Sequence, residues 1–147
     1  KETELDPQRL QLEISESALM RDASASVAVL RELKEAGVQL AVDDFGAGYS
    51  SLSHLTEFPI DTLKIDRSIV QRIDTAQANG VIVGAVIAMG TSLDKCVIAE
   101  GVENQAQLAF LQALHCDEAQ GYLFSQPLPA ERFAALTVTG IPDSRAA

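Results

Sequence analysis

The chain has 147 residues, of which 47% are hydrophobic and 22% are charged, so its composition indicates a folded globular domain rather than a disordered segment. Its formal net charge of −10 disfavours binding to DNA, RNA or a membrane surface, because those partners are themselves anionic. An anionic ligand could bind only where a metal ion or a local basic group supplies positive charge.

Cysteine usage and the first residue bear on where the protein works. Cys96 and Cys116 form no CxxC pair, which is typical of two buried structural thiols in a reducing cytoplasm. The best apolar run, residues 81–89, is shorter than the ~20 residues that a membrane span needs. The sequence begins with Lys1 and shows no signal peptide. We therefore expect a cytoplasmic piece of a longer protein, in which absent domains could carry a membrane anchor.

Apolar segments alternate with helical patterns along the whole chain. Five segments are predicted as strands: residues 10–14, 38–43, 62–65, 96–99 and 119–122. Six segments are predicted as helices: residues 23–36, 50–58, 67–73, 79–92, 104–114 and 130–136. This alternation favours a parallel sheet covered by helices, and both a doubly wound sheet and a (β/α) barrel fit it.

Polar side chains follow every predicted strand. They are Glu13, Glu16, Asp43, Asp44, Lys64, Asp66, Glu100, Glu103 and Gln120. Parallel strands bring their carboxyl ends to one face, so these groups should converge. Two like charges about 4 Å apart repel by roughly 4 kcal/mol at an effective dielectric constant of ~20, so converging carboxylates need a cation. Lys64 would offset one charge, and a divalent metal with oxygen ligands (Mg²⁺, Mn²⁺ or Ca²⁺ rather than zinc) would offset the rest.

Taken one at a time, the same residues have simpler interpretations. Asp66 precedes a predicted helix and is a natural N-cap, and Glu16 could cap the turn that follows it. Asp43 and Asp44 are adjacent and would face opposite sides of a regular strand, so both could bind metal only if the strand ends there. The repetition of such groups at all five strand ends favours a shared site.

Carboxylates that hold a metal beside a lysine suit the hydrolysis of a phosphate ester. The metal would activate a water and neutralise the phosphate oxygens. Lys64 would orient that water or hold a phosphate oxygen, and Glu100 would position the metal or accept a proton.

Five segments resemble, in order, the motifs of the EAL domain family. They read LEISE at 12–16, DDFGAGYSSL at 43–52, LKID at 63–66, AEGVE at 99–103, and QGYLF at 120–124 followed by Pro127. Ser15 stands where the family has Thr. The resemblance covers residues 5–136, and the long loop motif at 43–52 is the most specific of the five.

The resemblance implies a TIM-like (β/α) barrel that hydrolyses cyclic di-GMP to linear pGpG with Mg²⁺ or Mn²⁺. It assigns metal binding to Glu13, Asp43 and Asp44, catalysis to Lys64, Glu100 and Glu103, and the substrate site to Gln120. It also implies that Glu16 supports the loop at residues 44–52, which in the family couples dimerisation and substrate binding to metal occupancy.

The E-A-L signature and the metal-binding Asn of the following strand are absent from this sequence. In the family both precede the matched region, and a complete barrel needs about 250 residues. We therefore expect residues 1–136 to form the C-terminal half to two-thirds of an EAL barrel, followed by a tail at 137–147. We expect the chain alone to be inactive.

Open barrel edges invite pairing with another chain, so we expect a homodimer through the loop at 44–52 or through the bare edge strands. Two alternatives to the enzyme stay open: a degenerate EAL domain that senses cyclic di-GMP or docks a partner, and a fragment with no function of its own. The intact acidic residues in the loop and in AEGVE favour an enzyme as the parent protein.

Overall fold

The structure is a computed structural model that describes residues 4–47, 55–73 and 77–139. Five parallel strands form one sheet in the order β1-β2-β3-β4-β5. The strands are β1 (Gln11–Ser15), β2 (Gln39–Phe45), β3 (Thr62–Ile65), β4 (Cys96–Glu100) and β5 (Glu118–Gln120). The helices are α1 (Glu16–Met20), α2 (Ala23–Glu35), α3 (Arg67–Val70), α4 (Gln77–Ser92), α5 (Gln105–Ala113) and α6 (Ala130–Thr139).

Each strand pairs with the next strand in sequence, so every connection adds a new strand beside the one before it and the sheet grows at one edge only. The outer edges of β1 and β5 pair with no strand in the described part of the chain. This arrangement is the open part of a (β/α) barrel, and it confirms the predicted fold. Within the described part of the chain, none of the helices combines the length and the hydropathy that a transmembrane span requires.

The core lies along the middle strands. Leu40, Leu63 and Val97 are 0% exposed, since helices and neighbouring strands cover them on all sides. All four residues of β3 are buried, including Thr62 and Lys64. A lysine in the most buried strand needs compensating partners, and this requirement shapes the site.

Local signals predicted several element ends correctly. The Asp66 side chain accepts a hydrogen bond from the Ser68 backbone N–H at 2.8 Å and caps α3, as expected. Asn104 caps α5 in a reciprocal capping box with Gln107. Gly37 follows α2 with a φ of +91°, a left-handed conformation that glycine adopts without strain.

Other predicted boundaries of helices and strands were wrong, and one helix was not predicted. α1 was not predicted, because its five residues are too few to show a period. β2 continues through Asp43 and Asp44 to Phe45, with a register shift against β3 between Val42 and Phe45. α3 ends at Val70, and α6 runs on to Thr139 in what we expected to be tail. The helix predicted at 50–58 falls mostly outside the described residues.

Candidate active site

Four neighbouring strands place their functional side chains around Lys64. Its Nζ lies 2.6 Å from Glu13 Oε1 and 2.7 Å from Glu100 Oε1. Asp43 Oδ1 is farther away, at 3.6 Å. One cation faces three carboxylates here, so the cluster keeps an excess of two negative charges. The convergence expected from the strand ends is present for these four residues.

Lys64 stays protonated in this cluster. Burial lowers the pKa of its amine, but hydrogen bonds to Glu100 and Glu13 and the charges of Glu100 and Asp43 outweigh burial, and the net pKa is raised. A lysine held in this state is a hydrogen-bond donor and a fixed positive charge. It is therefore unsuited to act as a general base near neutral pH.

Asp44 lies apart from the Lys64 cluster, beside Asp66. Its φ of +56° breaks the regular alternation of the strand, so Asp43 and Asp44 are not forced onto opposite faces. The pKa of the Asp44 carboxyl is raised by loss of hydration and then by repulsion from Asp43 and Asp66. This carboxylate is the member of the predicted metal set that most lacks a compensating cation.

Glu16 is 4% exposed at the start of α1. Its Oε2 accepts a hydrogen bond from the Gly46 backbone N–H at 3.1 Å. Gly46 has a φ of +91°, and a Cβ there would lie 2.9 Å from Ile69 Cδ1. Glu16 therefore contacts the start of the loop that it was expected to support, whereas residues 48–52 of that loop lie outside the described residues, as does His54.

Glu103 and Gln120 line a cavity of about 170 Å³ beside the cluster, together with Glu100 and Tyr122. The Gln71 side chain donates a hydrogen bond to Glu103 Oε1 at 2.6 Å. Gln120 ends β5, and its backbone oxygen accepts from the Val102 N–H at 3.0 Å. Both residues thus lie at the same face as Lys64 but do not contact its amine.

Three residues at this face were not predicted from the sequence as site residues: Arg67, Gln71 and Gln107. Arg67 lines the cavity with Glu100 and Glu103. Gln107 is 3% exposed, and its Oε1 accepts the backbone N–H of Glu103 at 2.8 Å. The spacing Asn104 to Gln107 is a capping-box signal and would have found Gln107. No local pattern marks the other two, since they reach the site through the packing of α3.

The donor chemistry of this face fits a hard divalent cation. Carboxylate oxygens are the ligands that Mg²⁺, Mn²⁺ and Ca²⁺ prefer, and the uncompensated negative charge favours such an ion. Among the described residues, however, no three Asp, Glu, His or Cys side chains are grouped closely enough to hold a metal by themselves. Lys64 lies between two of the carboxylates, and Asp44 lies apart. The residues therefore fit the ion in kind and form part of a ligand set.

The two cysteines and His115 take no part in this face. Cys116 Sγ lies 3.4 Å from the backbone oxygens of Val97 and Glu118. Burial is the main cause that raises the pKa of its thiol to about 11. Both cysteines were expected to be buried structural thiols, and both are only partly buried. His115 lies in the turn after α5.

Comparisons with known proteins agree with this geometry. The EAL domain family model matches residues 1–127. The cyclic di-GMP phosphodiesterase NbdA of Pseudomonas aeruginosa is 50% identical over 120 residues, which cover 82% of this chain and 15% of NbdA.

Two solved structures share the fold. The phosphodiesterase MucR of Pseudomonas aeruginosa, in complex with c-di-GMP, has a TM-score of 0.86 and 44% identity, covering 88% of this chain and 52% of that one. BlrP1 of Klebsiella pneumoniae, in a manganese and cyclic di-GMP complex, has a TM-score of 0.78 and 38% identity, covering 84% and 31%. BlrP1 has also been solved with calcium, in line with the donor chemistry above.

The chain spans well under two-thirds of each of these relatives. Within that span, the family model covers most of the chain, and the motif residues lie at one face of a parallel sheet. The chain belongs to the EAL domain family.

Proposed function

We propose that this chain supplies part of the active site of a metal-dependent phosphodiesterase that hydrolyses cyclic di-GMP to linear pGpG in bacterial signalling. The observation that carries the proposal is the cluster of Glu13, Asp43 and Glu100 around the buried Lys64. NbdA is a cyclic di-GMP phosphodiesterase, and MucR and BlrP1 have been solved with that ligand.

Glu13, Asp43 and Asp44 would hold Mg²⁺ or Mn²⁺ at this face. When bound, the ion would neutralise charge on the phosphate and activate a water molecule. It would also counter the loss of hydration and the repulsion that together raise the pKa of Asp44, because a cation stabilises the ionised carboxylate. Further ligands would come from residues that this sequence does not contain.

The other residues of the face would act on the substrate directly. Lys64, protonated and fixed by two carboxylates, would stabilise negative charge that develops on a phosphate oxygen. Glu100 uses one oxygen for Lys64 and has a second with which to accept a proton. Glu103 and Gln120 would contact the substrate from the adjoining cavity, and Glu16 would hold the loop that follows Phe45.

We also propose that the protein acts in the cytoplasm and forms a homodimer through the open sheet edges or the loop at 44–52. The outer edges of β1 and β5, which pair with no strand among the described residues, support the first contact. Exposed apolar residues near β5, among them Tyr122 and Phe133, add surface that a second chain could cover.

Turnover of cyclic di-GMP tests the proposal. The chain would be assayed alone and after fusion to the segment of NbdA that precedes the matched region, with Mn²⁺, and pGpG would be quantified by chromatography. We expect pGpG from the fusion and none from the chain alone. Binding of cyclic di-GMP to the same fusion would be measured with calcium in place of manganese.

A folded fusion that binds cyclic di-GMP tightly but forms no pGpG with Mn²⁺ or Mg²⁺ would support a receptor instead of an enzyme. A fusion that neither binds nor hydrolyses cyclic di-GMP, although its circular dichroism shows a folded domain, would contradict both the enzyme hypothesis and the receptor hypothesis.

A further inference from the structure

Glu103 lies on the segment that joins β4 to α5, three residues after Glu100, and it is exposed. An exposed glutamate samples many rotamers, and fixing one of them has a cost in side-chain entropy. A role for Glu103 at the face that carries Lys64 therefore requires contacts that hold its side chain in place.

Gln71, which directly follows α3, makes such a contact. Its Nε2 donates a hydrogen bond to Glu103 Oε1 at 2.6 Å, across 32 residues of sequence. The other carboxylate oxygen of Glu103 accepts no hydrogen bond from the described part of the chain, and Glu103 lines a cavity together with Glu100. Gln71 itself does not line that cavity, so it can influence a ligand there only through Glu103.

Both ends of this hydrogen bond are attached to fixed backbone. The Oε1 of Gln107, a residue that is 3% exposed, accepts the backbone N–H of Glu103 at 2.8 Å. The backbone N–H of Gln71 donates to the oxygen of Arg67 at 2.9 Å. Arg67 in turn packs against Gly101, where a Cβ would lie 2.5 Å from Arg67 Cγ. Because α3 and the segment after β4 are in direct contact, packing sets the separation of the two side chains.

The donor that holds Glu103 is neutral. Lys64 forms ion pairs with Glu13 and Glu100 and offsets part of their charge. No lysine or arginine among the described residues forms an ion pair with Glu103. An amide N–H orients a carboxylate and leaves its full negative charge in place. Glu103 is thus oriented without being neutralised.

We propose that Gln71 is a positioning residue that holds the Glu103 carboxylate in one orientation at the face that carries Lys64, and that it raises turnover without touching the substrate. The inference rests on the proposed function for its reaction and adds a residue outside the five sequence motifs. A small displacement of a group in an active site slows the reaction strongly. Loss of this hydrogen bond should therefore appear in kcat, whereas KM should change little.

Turnover in the NbdA fusion with Mn²⁺ measures this role. Gln71→Met keeps the length of the side chain but lacks the donor, and it should lower kcat about 10-fold while KM changes less than about twofold. Gln112, an exposed glutamine on α5, provides the matched control, and Gln112→Met should leave both constants unchanged.

A double-mutant cycle separates positioning from a merely structural role. If Gln71 acts through Glu103, Gln71→Met should lower kcat in the unmodified background and have no further effect beside Glu103→Ala. An equal loss in both backgrounds, or an unchanged kcat for Gln71→Met in a fusion that is active when unmodified, would overturn the inference and leave the proposed function standing. An unmodified fusion without turnover would overturn the proposed function and this role with it.

The hydrogen bond itself is measured in the ¹⁵N-labelled chain by ¹H–¹⁵N NMR, independently of turnover. The side-chain Nε2 signal of Gln71, assigned by its loss in Gln71→Met, should move in Glu103→Ala because its acceptor is gone. It should stay in place in Glu131→Ala, which changes a glutamate in the first turn of α6. A Gln71 signal that does not respond to Glu103→Ala would also overturn the inference.

Discussion

At the scale of single residues, the site is defined by unequal compensation of charge. Lys64 has three carboxylate neighbours within 3.6 Å. Asp44, only one residue from Asp43, has carboxylates beside it and a raised pKa. Charge at this face is thus distributed as expected for a site that binds a divalent cation. The raised pKa of Asp44 means that its ionised carboxylate destabilises the fold.

Replacing Asp44 with Asn should stabilise the metal-free chain at neutral pH. A carboxyl whose pKa is raised by folding destabilises the fold once it ionises, so the gain appears as pH rises through the folded pKa and vanishes below the usual value of 3.8. Asp44 is exposed, and screening keeps the effect small: we expect a rise in Tm of about 2 °C. Asn tolerates the left-handed φ, so the backbone is not strained.

Thermal unfolding monitored by circular dichroism between pH 3 and pH 8 measures this effect. Asp43→Asn is the matched control, and it should lower Tm at neutral pH because Asp43 faces Lys64. Saturating Mn²⁺ should stabilise the unmodified chain more than the Asp44→Asn variant. A lower Tm for Asp44→Asn at pH 7 would contradict the assignment of Asp44 as an uncompensated charge.

At the scale of elements, close backbone contact at the end of β5 positions the cavity. Gly121 abuts the Val102 backbone, whereas Gly84 in α4 faces Leu114 Cδ1 at an ordinary 3.8 Å. The two positions therefore differ in whether they require glycine. Gly121 is required because the segments after β4 and β5 touch there, whereas the position of Gly84 has room for a methyl group.

Alanine at these two positions should have opposite effects. Gly121→Ala should destabilise the chain by about 2 kcal/mol or more, because its Cβ collides with backbone that cannot move independently. Gly84→Ala should stabilise it by about 0.5–1 kcal/mol through helix propensity. Urea denaturation of the two variants gives both values, and a neutral Gly121→Ala would show that the β5 turn can shift.

Sequence patterns predicted the elements well where signals were local. β3 matched its predicted residues because an apolar run is bounded by Pro59 and by the capping Asp66. The left-handed φ of Asp44 could not be predicted from the pair Asp43-Asp44, since either residue tolerates it. The position of Arg67 and Glu103 at one cavity depends on how α3 packs against the end of β4, which no periodicity encodes.

At the scale of the whole molecule, open edges and net charge act against each other. The edges of β1 and β5, left unpaired within the part of the chain that the structure describes, favour self-association, whereas a net charge of −10 on each chain opposes it. Salt screens the repulsion over a distance of about 10 Å at 0.1 M. Association should therefore strengthen as ionic strength rises.

Light scattering after size exclusion should show a dimer fraction that grows with concentration and salt. Phe133, which is 58% exposed, lies beside β5, and Phe133→Asp should abolish the dimer. Val81, which is 70% exposed, lies on α4, and Val81→Asp should not abolish it. If Val81→Asp abolished the dimer and Phe133→Asp did not, the interface would lie on α4 rather than at the sheet edge.

The most direct test of the account is the dependence of turnover on Lys64. In the NbdA fusion with Mn²⁺, Lys64→Met should lower kcat for pGpG formation by about 10²-fold or more, the loss typical of removing one group that stabilises transition-state charge. Lys95 directly precedes β4, at the end away from Glu100, and Lys95→Met should leave kcat unchanged. A folded Lys64→Met fusion that forms pGpG at the rate of the unmodified fusion would contradict the central claim that the Lys64 cluster is the hydrolytic site.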